Sequence, residues 1–195
     1  QWSPAGGTRT HRLTKSGRGT LECGGDVTGT GGVLVAAGRL ALPVAGGLAT
    51  TPLITVAAGA VYDVSAVAGY TLNAGQTLAG SGQVTGSVAL AAGALLSPGA
   101  DTGTLAVAGS LVGAAGATNI FDLTQPGVVG GGTNDLVSVA GDLDPNGTVI
   151  QLRFPAPPYS NGTYRLFDYT GALLSGFDPT IVAPAGFTAT LDTSV

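Results

Sequence analysis

The 195-residue sequence predicts an all-β fold, a chain wound into a parallel β-helix or β-solenoid. The first reason is a recurring phrase: an apolar residue, a spacer, Ala-Gly, then apolar residues again. It reads Val35-Ala36-Ala37-Gly38-Arg39-Leu40, Val56-Ala57-Ala58-Gly59-Ala60-Val61, Leu72-Asn73-Ala74-Gly75 with Leu78, and Leu90-Ala91-Ala92-Gly93-Ala94-Leu95. A looser copy stands at Val112-Gly113-Ala114-Ala115-Gly116, and the glycines fall 21, 16, 18 and 23 residues apart. The second reason is composition: 34 glycines, 9% charged residues and a hydrophobic share built mostly from Ala, Val and Leu suit a thin core with many turns. Third, no window carries a 3.6-residue apolar stripe with caps. A β-sandwich of hairpins is the alternative.

Residues 1–12 lack periodicity and read as an N-terminal arm. From Leu13 the chain alternates and turns, through Leu13-Thr14-Lys15-Ser16-Gly17 and Gly19-Thr20-Leu21-Glu22-Cys23-Gly24-Gly25. Strand-like pieces follow near 33–35, 40–42, 53–56, 61–64, 70–72, 76–78, 84–90, 95–96 and 104–107, bounded by Gly, Asn-Ala-Gly, Ser-Gly or Pro-Gly. Residues 13–117 therefore read as solenoid rungs whose inner faces form apolar ladders. Five marked rungs would make a column on the order of 24 Å tall. Residues 118–195 read as a C-terminal β end module continuous with the solenoid. Turn signals at Asp144-Pro145-Asn146-Gly147 and Asn161-Gly162, longer runs at 149–154 and 164–169, and most of the aromatics predict wider final rungs or an antiparallel end.

The stretch from Leu13 to Leu21, with the continuation from Thr30 to Leu40, resembles the passenger-associated strand repeat of bacterial autotransporters. The runs 78–84 and 96–99, then 103–107, 134–141 and 162–169, resemble the segments that end such arrays. Their order along roughly 13–175 carries the resemblance. It implies an exported, right-handed β-helix of a surface or adhesin-type protein, and it transfers no catalytic residue. Cys23 stands where the repeat has an apolar inward residue, and the alternation Leu21, Cys23 points the thiol into the core beside Leu21. The absence of methionine, the N-terminal Gln1 and the lack of a following barrel pattern fit a processed or excised chain.

Chemistry is thin. His11 is the single histidine, it lies in the arm, and no G-x-S-x-G elbow accompanies it. One His and one Cys cannot close a tetrahedral zinc shell. Gly130-Gly131-Gly132-Thr133-Asn134-Asp135-Leu136 resembles one turn of a calcium roll, but a single turn lacks half the ligands and reads as a Gly-rich loop with an Asx turn. Rung stacking could bring Asp142 or Asp144 to a carboxylate partner, yet no basic residue lies between Arg39 and Arg153 to serve a polysaccharide lyase. Asn146-Gly147-Thr148 and Asn161-Gly162-Thr163 match a glycosylation acceptor pattern and read as turns. No catalytic residue, metal or cofactor is expected. No apolar run approaches the ~20 residues of a membrane helix.

Net charge is −4, yet four of the seven basic residues are Arg9, Arg12, Lys15 and Arg18. With only Trp2 beside them to stack a base, they argue against nucleic acid and for an arm that docks on the acidic body of a neighbouring copy. The rung at a solenoid end exposes backbone groups that invite another strand. The expected function is thus a non-enzymatic extracellular structural protein that self-associates head to tail through Trp2, Arg9, Arg12, Lys15 and Arg18. The alternative is a monomeric surface adhesin module that contacts host, mineral or surface polysaccharide through a patch including Tyr159, Tyr164, Tyr169 or Phe177. A polysaccharide-active enzyme stands third.

Overall fold

The computed structural model describes residues 11–24, 31–43, 48–99, 101–155 and 161–194, which climb through eight rungs. The first two carry β1 (Leu13–Lys15) and β2 (Thr20–Glu22), then β3 (Val33–Val35) and β4 (Arg39–Ala41). A third side opens in the next rung, with β5 (Leu53–Val56), β6 (Val61–Asp63) and β7 (Thr71–Leu72). The fourth holds β8 (Thr77–Gly80), β9 (Gln83–Thr85) and β10 (Val88–Leu90). The fifth holds β11 (Leu95–Pro98), β12 (Thr104–Val107) and β13 (Leu111–Val112). The sixth holds β14 (Thr118–Asp122), β15 (Leu136–Val139) and β16 (Leu143–Asp144). Above them lie β17 (Val149–Arg153), β18 (Phe167–Tyr169) and β19 (Ile181–Val182).

Each strand pairs in parallel with its counterpart one rung away, forming sheets of eight, seven and four strands. No helix occurs among the described residues, and none is long and apolar enough to cross a membrane. This is the parallel solenoid that the sequence predicts; a sandwich would need antiparallel hairpins. The expected antiparallel end is overturned, because β15–β18 and β17–β19 are parallel. The final rungs widen instead. In the eight-stranded sheet Leu13, Val33, Ile54, Leu78, Leu96, Asn119, Ile150 and Ile181 are in register, so successive rungs take 20, 21, 24, 18, 23, 31 and 31 residues. Eight rungs make a column about 34 Å tall, longer than the five marked copies suggest.

Period two puts one or two side chains of most strands inside, as with Val33 and Val35 in β3. The ladder Leu40, Tyr62, Val84, Val107 and Val139 runs up the seven-stranded sheet and is almost fully buried. Each such Val or Leu contributes roughly 1.5–3 kcal/mol. Leu21 occupies the same ladder in the first rung, yet it is 37% exposed while Cys23 beyond it is buried. Expecting the two side by side in the core was therefore half right.

The repeated Ala-Gly phrase marks two different corners. Gly38 and Gly59 turn the chain from the eight-stranded to the seven-stranded sheet. Gly75, Gly93 and Gly116 turn it from the four-stranded sheet back to the eight-stranded one. The 16-residue step from Gly59 to Gly75 is a move between corners within one rung. At the second corner the turns bond to one another, Gly75 N–H to the Gly93 carbonyl and Gly93 N–H to the Gly116 carbonyl, each at 3.0 Å. The run 84–90, expected as one strand, breaks at Gly86, where φ is +106° and a Cβ would meet Ser65 Cα at 2.9 Å.

Gly38 and Gly59 share positive φ (+70° and +74°) and differ in surroundings. A Cβ on Gly38 would fall on the Gly17 and Gly19 carbonyl oxygens of the rung below, whereas one on Gly59 meets nothing within 4 Å. Gly59→Ala is expected to cost about 1–3 kcal/mol from backbone strain alone. Gly38→Ala should cost clearly more, read as a lower urea midpoint. Equal midpoints would show that the corner spacing yields freely.

Candidate functional site

The residues singled out from sequence lie at opposite ends of the column. Trp2, Arg9 and Tyr159 fall outside the described residues. Arg12 and Arg18 flank β1 and are exposed. Lys15 is not: it sits at an inner position, in register with Val35 and Val56, and is 6% exposed. Its ammonium donates to the carbonyls of Ser16 (2.8 Å), Gly17 (2.7 Å) and Ala37 (3.0 Å). All three N–H donors are thus spent on the first corner and on the rung above it. A buried cation persists only with such partners, so Lys15 holds two rungs together and presents no charge to a neighbour. One rung on, the Arg39 guanidinium pairs with Asp63, which is buried and accepts a second bond from Ser65 N–H at 2.9 Å.

At the other end Tyr164, Tyr169 and Phe177 are each half-buried, and Tyr164 and Phe177 pack on different rings. Phe177 stacks on Phe167 (centroids 5.1 Å), which meets buried Phe121 edge-on at 5.2 Å. Tyr164 belongs to a second cluster with Phe154 (6.4 Å), which also touches Phe187 (4.7 Å). Tyr169 continues the inner ladder above Val139. These rings finish the widening core, each contact of this kind adding about 0.5–1.5 kcal/mol to burial.

The acids pointed to as pairable carboxylates serve corners. Asp142 accepts from Ala172 N–H at 2.8 Å, and Asp144 accepts from the Ser175 hydroxyl. Asp168 pairs with Arg165 at 3.2 Å. His11 is exposed. Cys23 is a free, buried thiol whose pKa burial pushes up, in keeping with a structural role. Tyr62 and Tyr70 share a buried O–H···O bond of 3.0 Å, and burial carries Tyr70 to about 12. A cleft of about 200 Å³ opens where the four-stranded sheet ends at β7, lined by Leu42, Leu48, Val67, Tyr70, Asn73 and Gln76. Its amide is spoken for: Gln76 Nε2 donates to the Leu48 carbonyl (2.8 Å) and the Thr51 carbonyl (2.6 Å).

The most elaborate polar cluster is one that reading the loop as an Asx turn undervalues. Asn134 and Asp135 are completely buried. Asn134 Oδ1 accepts from Thr124 N–H (2.8 Å) and Gln125 N–H (3.0 Å), while its Nδ2 donates to the Gln125 and Val128 carbonyls at 2.6 and 2.7 Å. Asp135 accepts from Gly103 N–H and Asp122 N–H, both at 2.8 Å. Together they staple the 123–135 loop onto the start of β12 and the end of β14. An Asn-Asp pair between a triple glycine and an apolar strand is the signal that could have found them. Among the described residues no group of three His, Cys, Asp or Glu is placed to hold a metal ion.

No family model matches the chain, and no solved structure matches it. Among curated proteins, the adhesin BmaC autotransporter of Brucella suis biovar 1 (strain 1330) is 44% identical over 71 residues. That stretch is 36% of this chain and 2% of the relative's length. The chain thus spans a very small part of the protein it is similar to.

Burial pushes the Asp135 carboxyl up to about 7, against the two N–H donors that favour its charged form; Asp122 beside it adds repulsion and Arg153 opposes it. Asp122 is raised in the same direction by burial, with Arg153 lowering it and Asp101 adding repulsion. A raised carboxyl binds its proton more tightly folded than unfolded. Stability from Asp135 is therefore greatest at acid pH and falls as pH rises from about 4 through about 7. Urea midpoints of Asp135→Asn should show a flatter slope across that window than the parent. An unchanged slope would place the titration elsewhere.

Proposed function

We propose that this chain is a non-enzymatic structural segment of a secreted or cell-surface protein of the adhesin, autotransporter-passenger type. The observation that carries the reading is the unbroken eight-stranded parallel ladder from β1 to β19. Such a column is a spacer by construction: each rung adds about 4.8 Å of length and no hinge. The similarity to the BmaC autotransporter adhesin supports the same reading. So does the use of Asp142 and Asp144 in corner hydrogen bonds, and the complete burial of Asp135, which keeps its carboxyl from any substrate.

The finer proposal is head-to-tail self-association, favoured by the distribution of charge. Rungs one and two carry Arg12, Lys15, Arg18 and Arg39 against Glu22, while rungs six to eight carry Asp122, Asp135, Asp142, Asp144, Asp168 and Asp178 against Arg153 and Arg165. Of the cations, Arg12, Arg18 and Arg39 are exposed, and Arg39 is paired with Asp63. Opposite charge at the two ends aligns copies in one polarity, and β1 and β19 are the outer strands of the longest sheet among the described residues. A monomeric stem that binds surface polysaccharide near Tyr164 and Tyr169 is the second reading, favoured by the partial exposure of both rings.

Negative-stain electron microscopy across a dilution series separates them. Filaments that shorten on dilution and in molar salt, where exposed charge is screened within about 3 Å, are expected for head-to-tail stacking. Arg12→Glu with Arg18→Glu should shorten them too. Uniform short rods at every concentration would remove self-association and leave the stem. Release of oligosaccharides from acidic polysaccharides would overturn the non-enzymatic reading.

A further inference from the structure

The tripeptide Asn-Gly-Thr occurs at 146–148 and again at 161–163, and the fold treats the two copies differently. In an Asn-Gly pair the glycine nitrogen, unhindered by a side chain, attacks the asparagine Cγ. The new N–Cγ bond closes a five-membered succinimide; the glycine N–H proton passes through solvent to the side-chain nitrogen, which leaves as ammonia. Water then opens either imide bond, giving aspartate or isoaspartate. Water is the sole co-reactant, and no electron is transferred. The demand is conformational: the glycine nitrogen must be free of its hydrogen bond and able to swing onto Cγ.

At 146–148 that freedom is missing. Asn146 N–H donates to Ser175 Oγ (2.6 Å), Gly147 N–H to the Gly176 carbonyl (2.8 Å), and Thr148 N–H to the Pro145 carbonyl (3.0 Å). Asn146 is also locked at φ +44°, and Thr148 is buried and accepts from Asn119 Nδ2 at 3.1 Å. The attacking nitrogen is itself a rung-to-rung donor. At 161–163 all three residues are exposed, and the one backbone bond is accepted by the Thr163 carbonyl from Gly127 N–H at 2.9 Å. Within the described residues nothing holds the Asn161 side chain or the Gly162 N–H.

We infer that Asn161 is a site of spontaneous deamidation in the folded protein and that Asn146 is protected by its corner. The product places a carboxylate in the exposed segment that leads into Tyr164. Because the two Asn-Gly-Thr tripeptides are identical, each site is a control for the other, and their rate ratio reports how far the 146–148 corner must open.

The test is peptide mapping with isoaspartate detection, after incubating the full chain at mildly alkaline pH, native and in denaturant. In the native chain Asn161 should lose its amide about tenfold faster than Asn146 or more, the ratio that an opening cost of about 1.4 kcal/mol gives. The ratio should collapse toward one in denaturant. Asn161→Gln, which leaves Gly162 and its contact with Pro126 unaltered, should abolish the change at 161 and leave 146 alone. Ser175→Ala, which removes one clamp, should speed the change at 146. Equal native rates, a faster Asn146, or an Asn161 that reacts only when unfolded would each overturn the inference.

Discussion

The structure depends on one constraint: backbone hydrogen bonds between rungs fix their spacing near 4.8 Å, corners included. Strands accept that spacing without effort, since their side chains alternate in and out. Corners do not, because a turn stacked at strand spacing brings carbonyl oxygens onto the next turn's α-carbon. Gly38 lies over the Gly17 and Gly19 carbonyls, and Gly93 bonds both to Gly75 and to Gly116. Close approach thus demands glycine at corners such as Gly38, and positive φ alone calls for it at Gly59, Gly75 and Gly93. The same spacing explains the low charge, because outward positions on neighbouring rungs are direct neighbours and like charges stacked there repel.

Polar side chains that enter the core obey the same constraint. Lys15, Gln76, Asn134 and Asp135 all bond to backbone rather than to other side chains. Each one satisfies a carbonyl or N–H that a corner or an irregular loop leaves without a ladder partner, which is the requirement for burying it. Asn119 differs. It stands in the apolar ladder between Leu96 and Ile150 and donates to Thr148 Oγ1 at 3.1 Å, while its own Oδ1 has no partner. It occurs where rung length jumps from 23 to 31 residues. An inward amide there ties the longer rung to a single register, at the cost of one unsatisfied acceptor.

Much of this was legible in the sequence, for a physical reason. The inner ladder and the corners are local demands: apolar alternation of two or three residues, then glycine. The strands at 33–35, 53–56 and 104–107 were readable to the residue. What is not local was not readable. The Ala-Gly phrase gives the same signal at either corner, so the sheet it feeds cannot be deduced from it. Ring pairs such as Phe121–Phe167 join residues from different rungs, and Tyr164 and Phe177 consequently looked like one surface patch. Lys15 looked like part of a basic arm because its carbonyl cradle depends on Ala37 in the next rung.

The division between legible and hidden also sets what similarity can mean for such a chain. Any column of this kind needs glycine corners and a Val/Leu ladder, so those positions are where two solenoids will agree first. Identity at 44% over 71 residues therefore speaks most directly to rung architecture. The outward positions carry recognition and are free of the ladder's demands. In this chain they are Thr14, Leu34 and Thr55 on one side and Thr71, Ala89 and Val112 on another, all uncharged, with Asp144 above Val112 and Arg39 outward on the third side. A surface like that resists sticking to itself sideways only weakly, while the ends carry opposite charge. Sideways contact on such faces has little direction, whereas the backbone hydrogen bonds of the ladder all run along the column's axis.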